Sequence, residues 1–205
     1  MTRRAHVGSG SPRRFFGIAL ALLGAACGQA ESDRERGGDT VACQPVAIST
    51  LPGVSIHFLA SDCAFTLAEA AAGITVDYEV VIESDVPGVV PEPQDAGGCE
   101  TPGPSGLILH EVLTGGAQQY CLCDVGLCAV NPLPPVTLGA GTSPGAFVWH
   151  GENWTGPSDY GAPKGAQFPA GSYELTVSAT GTVTTAGGPP QSFDASGRLP
   201  LTLTP

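Results

Sequence analysis

The sequence predicts an all-β domain, folded as an antiparallel sandwich and stapled by disulfides, and three observations carry that prediction. Twenty-nine Gly and 19 Pro among 205 residues, with only 13% charged residues, describe a turn-rich chain of short strands. Long helices draw on Leu, Glu, Lys and Arg, and Lys164 is the sole lysine. The second observation is the period-two alternation from Ile74 to Glu83. There Ile74, Val76, Tyr78, Val80 and Ile82 share one face, and Thr75, Asp77, Glu79 and Glu83 lie on the other. The third is a set of seven cysteines. The length suits one domain once a targeting segment is removed.

Residues 1–26 read as that segment. A basic stretch ending in Arg13-Arg14 precedes the apolar run Phe15 to Leu23, and Gly24-Ala25-Ala26 leads into Cys27. As a helix the run spans about 15 Å, half the thickness of a bilayer core, so it predicts a cleavable export signal and not a membrane span. Residues 27–40 follow as a polar tether free of aromatics, which cannot feed a core. A chain of that length and composition reaches roughly 20 Å. Residues 41–205 then form the folded domain.

Leu23-Gly24-Ala25-Ala26-Cys27 resembles the lipobox of bacterial lipoproteins, with Gly24 in the slot where that family usually carries leucine. The resemblance implies a diacylglycerol on the Cys27 sulfur and a lipid-anchored protein of the cell envelope. Gly28 stands where an aspartate would mark inner-membrane retention, so the outer membrane is the expected home. Arg13-Arg14-Phe15-Phe16 also resembles the twin-arginine export motif, whose pathway carries folded proteins. Disulfides form after export, which suits an unfolded passenger better, and the route stays open between the two.

With Cys27 lipidated, an even set remains: Cys43, Cys63, Cys99, Cys121, Cys123 and Cys128. An even set in an exported chain predicts disulfides, each constraining the unfolded state by about 2–4 kcal/mol, with pairing that the sequence does not choose. Cys121, Cys123 and Cys128 lack the second tight ligand pair of a zinc site, and His57, His110 and His150 are scattered singly. Neither a metal nor any other cofactor is expected.

Further elements follow from pattern. Val54 to Leu59 and Cys63 to Leu67 read as strands, and Glu69 to Ala72 as one helical turn stopped by Gly73. Ser84 to Gly106, with five prolines, reads as a long loop pinned by Cys99. Leu107 to Thr114 and Ala117 to Cys123 form a hairpin about Gly115-Gly116. The proline-rich stretch Val130 to Pro135 divides a disulfide-bearing layer from a cysteine-free half. That half holds strands at Ala146 to His150, Ser172 to Thr180, Thr182 to Ala186 and Arg198 to Thr204, with a turn at Gly187-Gly188-Pro189-Pro190. Eight or nine strands with a turn signal every 8–12 residues or so make a sandwich.

The stretch Phe147-Val148-Trp149-His150-Gly151 through Phe168-Pro169-Ala170-Gly171-Ser172-Tyr173-Glu174-Leu175-Thr176-Val177 has the form W-x-G, a Gly-rich hairpin, then P-x-G-x-Y-x-L-x-V. It resembles the immunoglobulin-like repeat of flagellar hook-capping proteins and of bacterial intracellular proteinase inhibitors. The resemblance implies an Ig-like sandwich with the tryptophan in its core, and it carries no catalytic residues. His150 stands where those families usually place aspartate.

Charge and motif narrow the functions. From Cys27 onward the chain holds 4 basic and 19 acidic residues, a net charge of −15 against −11 for the whole. Such a surface repels phosphate backbones, so no nucleic-acid partner is expected. Trp149, Glu152, Asn153, Trp154, Asp159 and Tyr160 interleave aromatic faces with hydrogen-bonding side chains, the chemistry of a glycan-binding loop. The competing reading puts Trp149 in the core and Trp154 as a cap on the hairpin. No H-E-x-x-H or S-x-x-K occurs. Asp77 and Glu79 lie about 7 Å apart on one strand face, near the separation two carboxylates need in a glycosidase. The leading expectation is a non-enzymatic envelope lipoprotein for binding or structural work, with an envelope protein or glycan as partner. A carbohydrate- or peptidoglycan-binding module and a hydrolase with an unrecognised site are the alternatives.

Overall fold

The computed structural model describes residues 43–94, 101–121, 133–155 and 161–205, all within the unit Asp39–Pro205. Cys27, the tether, Cys99, Cys123, Cys128, Asp159 and Tyr160 lie outside the described residues, and Cys121 is described by its backbone alone. Among the described residues no helix is long and apolar enough to cross a membrane.

The chain opens with β1 (Val46–Ser49), β2 (Val54–Phe58) and β3 (Ala64–Thr66), then α1 (Leu67–Ala72) and β4 (Ile74–Ile82). β5 (Val86–Glu92), β6 (His110–Gly115), β7 (Gln118–Cys121) and β8 (Val136–Leu138) follow. β9 (Gly141–Trp149), β10 (Glu152–Trp154), β11 (Lys164–Gln167), β12 (Gly171–Val183) and β13 (Gln191–Thr204) complete it. These form an eight-stranded sheet, a three-stranded sheet β2-β4-β9 and a two-stranded ribbon β10-β11.

β12 and β13 are the spine of the large sheet, antiparallel from Gly171↔Leu203 to Val183↔Gln191. The other edge of β12 is shared end to end: β6 pairs with Glu174 to Ser178 and β5 with Thr180 to Val183. The outer edge of β13 is shared too. β1 runs antiparallel along Ala195 to Arg198, and β3 runs parallel along Thr202 to Thr204. Pro200 lies in the gap between them, where the missing N–H of proline leaves no ladder bond unmade on that edge.

β4 follows the alternation in its sequence. Ile74, Val76, Tyr78, Val80 and Ile82 are buried, and Thr75 and Asp77 are exposed. That face joins Ile56, Phe147, Leu175, Val177, Leu199 and Leu201 in one apolar cluster drawing on both sheets. Each such side chain contributes about 1.5–3 kcal/mol on full burial. Gly197 permits the approach of β13 to β2, because a Cβ there would stand 2.8 Å from the Ile56 carbonyl oxygen. The helical turn is real and capped at both ends. Thr66 Oγ1 accepts from the Glu69 amide, Glu69 Oε2 accepts from the Thr66 amide, and Gly73 closes the turn at φ +111°.

Several expectations change. Ser84 to Gly106 is not one loop, since Val86–Glu92 is a strand paired with both β12 and β8. Prolines fit because each pairing covers only part of the strand. Pro91 faces Gly181 on β12 beyond the end of the β8 ladder, and the bulge between Val86 and Val89 contains Pro87 and Gly88, the latter at φ +72°. The hairpin turn is Gly116-Ala117, one residue later than the Gly-Gly pair, because Gly115 pairs with Gln118. The division at Val130 to Pro135 does not exist as a boundary of layers: β9 pairs with β4 from Ile74↔Trp149 to Ile82↔Gly141, and β12 pairs with β5 and β6. Ser172 to Thr180 and Thr182 to Ala186 merge into β12. Gly181 sits within that strand because its bare backbone meets the Val90 carbonyl and the Phe193 ring.

The described residues hold thirteen strands, more than the eight or nine expected, and β3 adds a parallel pairing. Of the cysteines, Cys43 and Cys63 form a disulfide with their Cα atoms 5.6 Å apart. It links the residue run before β1 to the run before β3.

Candidate functional site

The segment that begins at Trp149 is built on a sharp turn. Gly151 has φ +79°, and a Cβ there would lie 2.2 Å from Gln167 Oε1, so the W-x-G spacing is a backbone requirement. Phe168 N donates to the Gly151 carbonyl at 2.7 Å, and Gln167 Nε2 donates to the His150 carbonyl at 3.2 Å. β10 and β11 then pair from Glu152↔Gln167 to Trp154↔Lys164.

Trp149 is 1% exposed, and its Nε1 donates to the Glu152 carbonyl at 2.9 Å. Its ring meets Phe168 edge-on at 5.0 Å and Tyr120 at 6.0 Å. Trp154 is half-buried and stacks on Tyr120 at 5.9 Å, with planes 20° apart. Lys164 Nζ lies 5.5 Å from the centre of the Trp154 ring and 3.0 Å from Glu152 Oε1. Asn153 is spent on the backbone: Nδ2 donates to the Gln119 carbonyl at 2.6 Å, and Oδ1 accepts from Trp154 N at 2.8 Å.

The structure therefore brings Trp149, Glu152, Asn153 and Trp154 together, and each has a partner within the protein. The aromatic series continues inward, since Tyr120 touches Phe147 at 5.7 Å and Phe168 stacks with Tyr173 at 5.8 Å. The Tyr173 hydroxyl donates to the Pro169 carbonyl at 2.7 Å, four residues back, which explains the P-x-G-x-Y spacing. Burial raises the Tyr173 and Tyr120 hydroxyls above the ordinary tyrosine range, and the Glu111 charge adds to the effect at Tyr120.

A second polar cluster was not foreseen. The Tyr78 hydroxyl, from β4, donates to Glu111 Oε1, on β6, at 2.7 Å. Burial pushes the Glu111 carboxyl above the usual carboxylate range, partly offset by the Tyr78 bond and by His110. Burial, the same hydrogen bond and the Glu111 charge all push Tyr78 upward. Gly145, opposite Tyr78 on β9, leaves the room its ring occupies: a Cβ there would fall 2.3 Å from Cε2 and Cζ. No pattern in the sequence pairs position 78 with position 111, because the contact joins two sheets.

Asp77 and Glu79 share the polar face of β4 but meet different neighbours. Glu79 stands across from His57 on β2, whose Nε2 is 2.8 Å from Ser55 Oγ. Asp77 lines a groove of ≈ 190 Å³ that includes Leu59, Asp62, Phe65 and Thr75. A second groove, of ≈ 280 Å³, lies between Gly115–Gln118 and Pro169–Tyr173, with walls mainly of backbone and small side chains. Among the described residues no group of three or more His, Cys, Asp and Glu side chains is placed to hold a metal ion. The chain matches no family model, no curated protein and no solved structure.

Proposed function

We propose that the chain is an exported, lipid-anchored protein of the cell envelope, without enzymatic activity, that presents an Ig-like β-sandwich for binding or structural work. The Cys43–Cys63 disulfide is the observation that carries this reading. Such bonds persist outside the reducing cytoplasm, and an oxidising compartment agrees with the signal-like residues 1–26. The lipid goes to Cys27, the cysteine directly after that segment. The sandwich is supported by the apolar cluster shared between the two sheets and by the close approach of Gly197 to Ile56. The Tyr173 to Pro169 bond supports the Ig-like reading, because tyrosine corners of this kind recur in that architecture.

Binding is the work favoured here, since the Trp149 to Trp154 segment invests its side chains in rigidity. A rigid scaffold presents loops and grooves at low entropic cost. Metabolic labelling with palmitate tests the anchor. Label is expected on the native protein and absent from Cys27→Ala, and equal labelling of both refutes it. The outer membrane is the proposed location, read by fractionating labelled envelopes.

A further inference from the structure

The groove beside Asp77 has walls of two kinds. Leu59, 57% exposed, and the half-buried Phe65 supply apolar surface, and Asp62 and Asp77 supply carboxylates. Its shape is fixed by bonds to two sheets. Leu59 N donates to the Asp77 carbonyl at 2.9 Å, which ties the end of β2 to β4. Thr202 N donates to the Cys63 carbonyl at 2.8 Å, and the Cys43–Cys63 disulfide holds the same segment, so the 59–63 loop is braced from both ends.

An exposed apolar wall next to two carboxylates suits a ligand with an aliphatic stem and a cationic head. We propose that this groove receives a lysine side chain carried by a basic partner protein, the stem against Leu59 and Phe65 and the ammonium between Asp62 and Asp77. Lysine fits better than arginine because a compact ammonium meets two separate carboxylates as a point charge, whereas the guanidinium fork favours one carboxylate bidentately. The net charge of −15 from Cys27 onward steers a basic partner toward the molecule before contact. This inference rests on the reading of the domain as a binding module and adds the chemistry of its partner.

The test titrates the full chain with a trilysine peptide at low salt, and with tri-norleucine, which keeps the stem and loses the charge. Saturable trilysine binding is expected, with amide shifts at Leu59 and Thr75 by NMR, and no binding of tri-norleucine. Asp62→Asn and Asp77→Asn should each weaken trilysine binding by about threefold, as exposed ion pairs do, and the double variant by about tenfold. Glu174→Gln, an exposed acid on β12 away from the groove, should leave it unchanged. Equal weakening by Glu174→Gln would mean diffuse attraction to an acidic surface and would overturn the groove, leaving a binding role for the domain intact. Equal binding of tri-norleucine, or no trilysine binding at all, overturns the proposal as well. Palmitate labelling does not respond to these variants, so the anchor stands or falls separately.

Discussion

Replacing Gly145 by alanine should unfold a large fraction of this protein's stability, although alanine is ordinarily the better strand residue. In an open strand, Gly→Ala gains about 0.5–1 kcal/mol through lost backbone freedom in the unfolded chain. Here the new methyl would stand 2.3 Å from the Tyr78 ring and 2.7 Å from its hydroxyl oxygen. The ring has little freedom to yield. It is 4% exposed, it meets Phe58 edge-on at 6.1 Å, and its hydroxyl is bonded to Glu111 at 2.7 Å. Overpacking of a filled core costs about 1–3 kcal/mol. If the ring shifts, the bond to Glu111 is lost as well, at about 1.5–3 kcal/mol for a charged acceptor. Less the backbone gain, these come to roughly 1.5–5.5 kcal/mol, against a typical stability of about 5–15 kcal/mol. Urea denaturation reads it as a fall in midpoint at constant slope. The same substitution placed in a Tyr78→Val background meets no ring, and there it should be neutral or slightly stabilising. Equal costs in the two backgrounds would refute the account, because they would place the strain somewhere other than the ring.

Other outcomes follow from the same contacts. Loss of the Cys43–Cys63 bond, in Cys43→Ser with Cys63→Ser, frees a loop of sequence separation 20, and the unfolded chain gains entropy worth about 3 kcal/mol; an unchanged urea midpoint would contradict this. Glu111 holds its proton more tightly when folded than its ordinary pKa of 4.5, so its contribution to stability is complete below that value and is lost as pH rises through the folded pKa. Glu111→Gln keeps an acceptor for Tyr78 and has no proton to lose, so its stability relative to the native chain should grow as pH rises above 4.5; parallel stability curves would exclude the effect. Trp154→Ala removes the ring that stacks on Tyr120 and should cost about 2 kcal/mol, below the full-burial range because Trp154 is half-buried. Glycan-array binding that disappears in this variant while the fold survives would favour the carbohydrate-binding alternative.

Legibility of the fold depended on how local its cause was. β4 could be read from its own alternation, α1 from Gly73 and the alanines before it, and the turn at Gly187-Gly188 from composition. β5 was hidden by prolines whose tolerance depends on where neighbouring ladders end, which only the assembled sheet decides. β1 was missed because all four of its residues are exposed, so it carries no burial pattern to read. The same distinction holds at the candidate site. The W-x-G and P-x-G-x-Y spacings reflect short-range geometry at Gly151 and Tyr173 and were visible in sequence. The stacking of Trp154 on Tyr120, and the groove between the 59–63 loop and β4, join residues far apart along the chain.

The divided rim of β13 has a bearing on how the molecule behaves in crowded surroundings. A long unpaired strand invites a stranger to extend the sheet and begin a fibril. Here that border is filled by two short segments running in opposite directions, with Pro200 at the junction. No incoming chain could follow a single polarity along the whole length, and the proline offers nothing to bond at the seam. The interruption makes this side of β13 a poor template for aggregation, so the domain can carry a 14-residue strand without it becoming a seed.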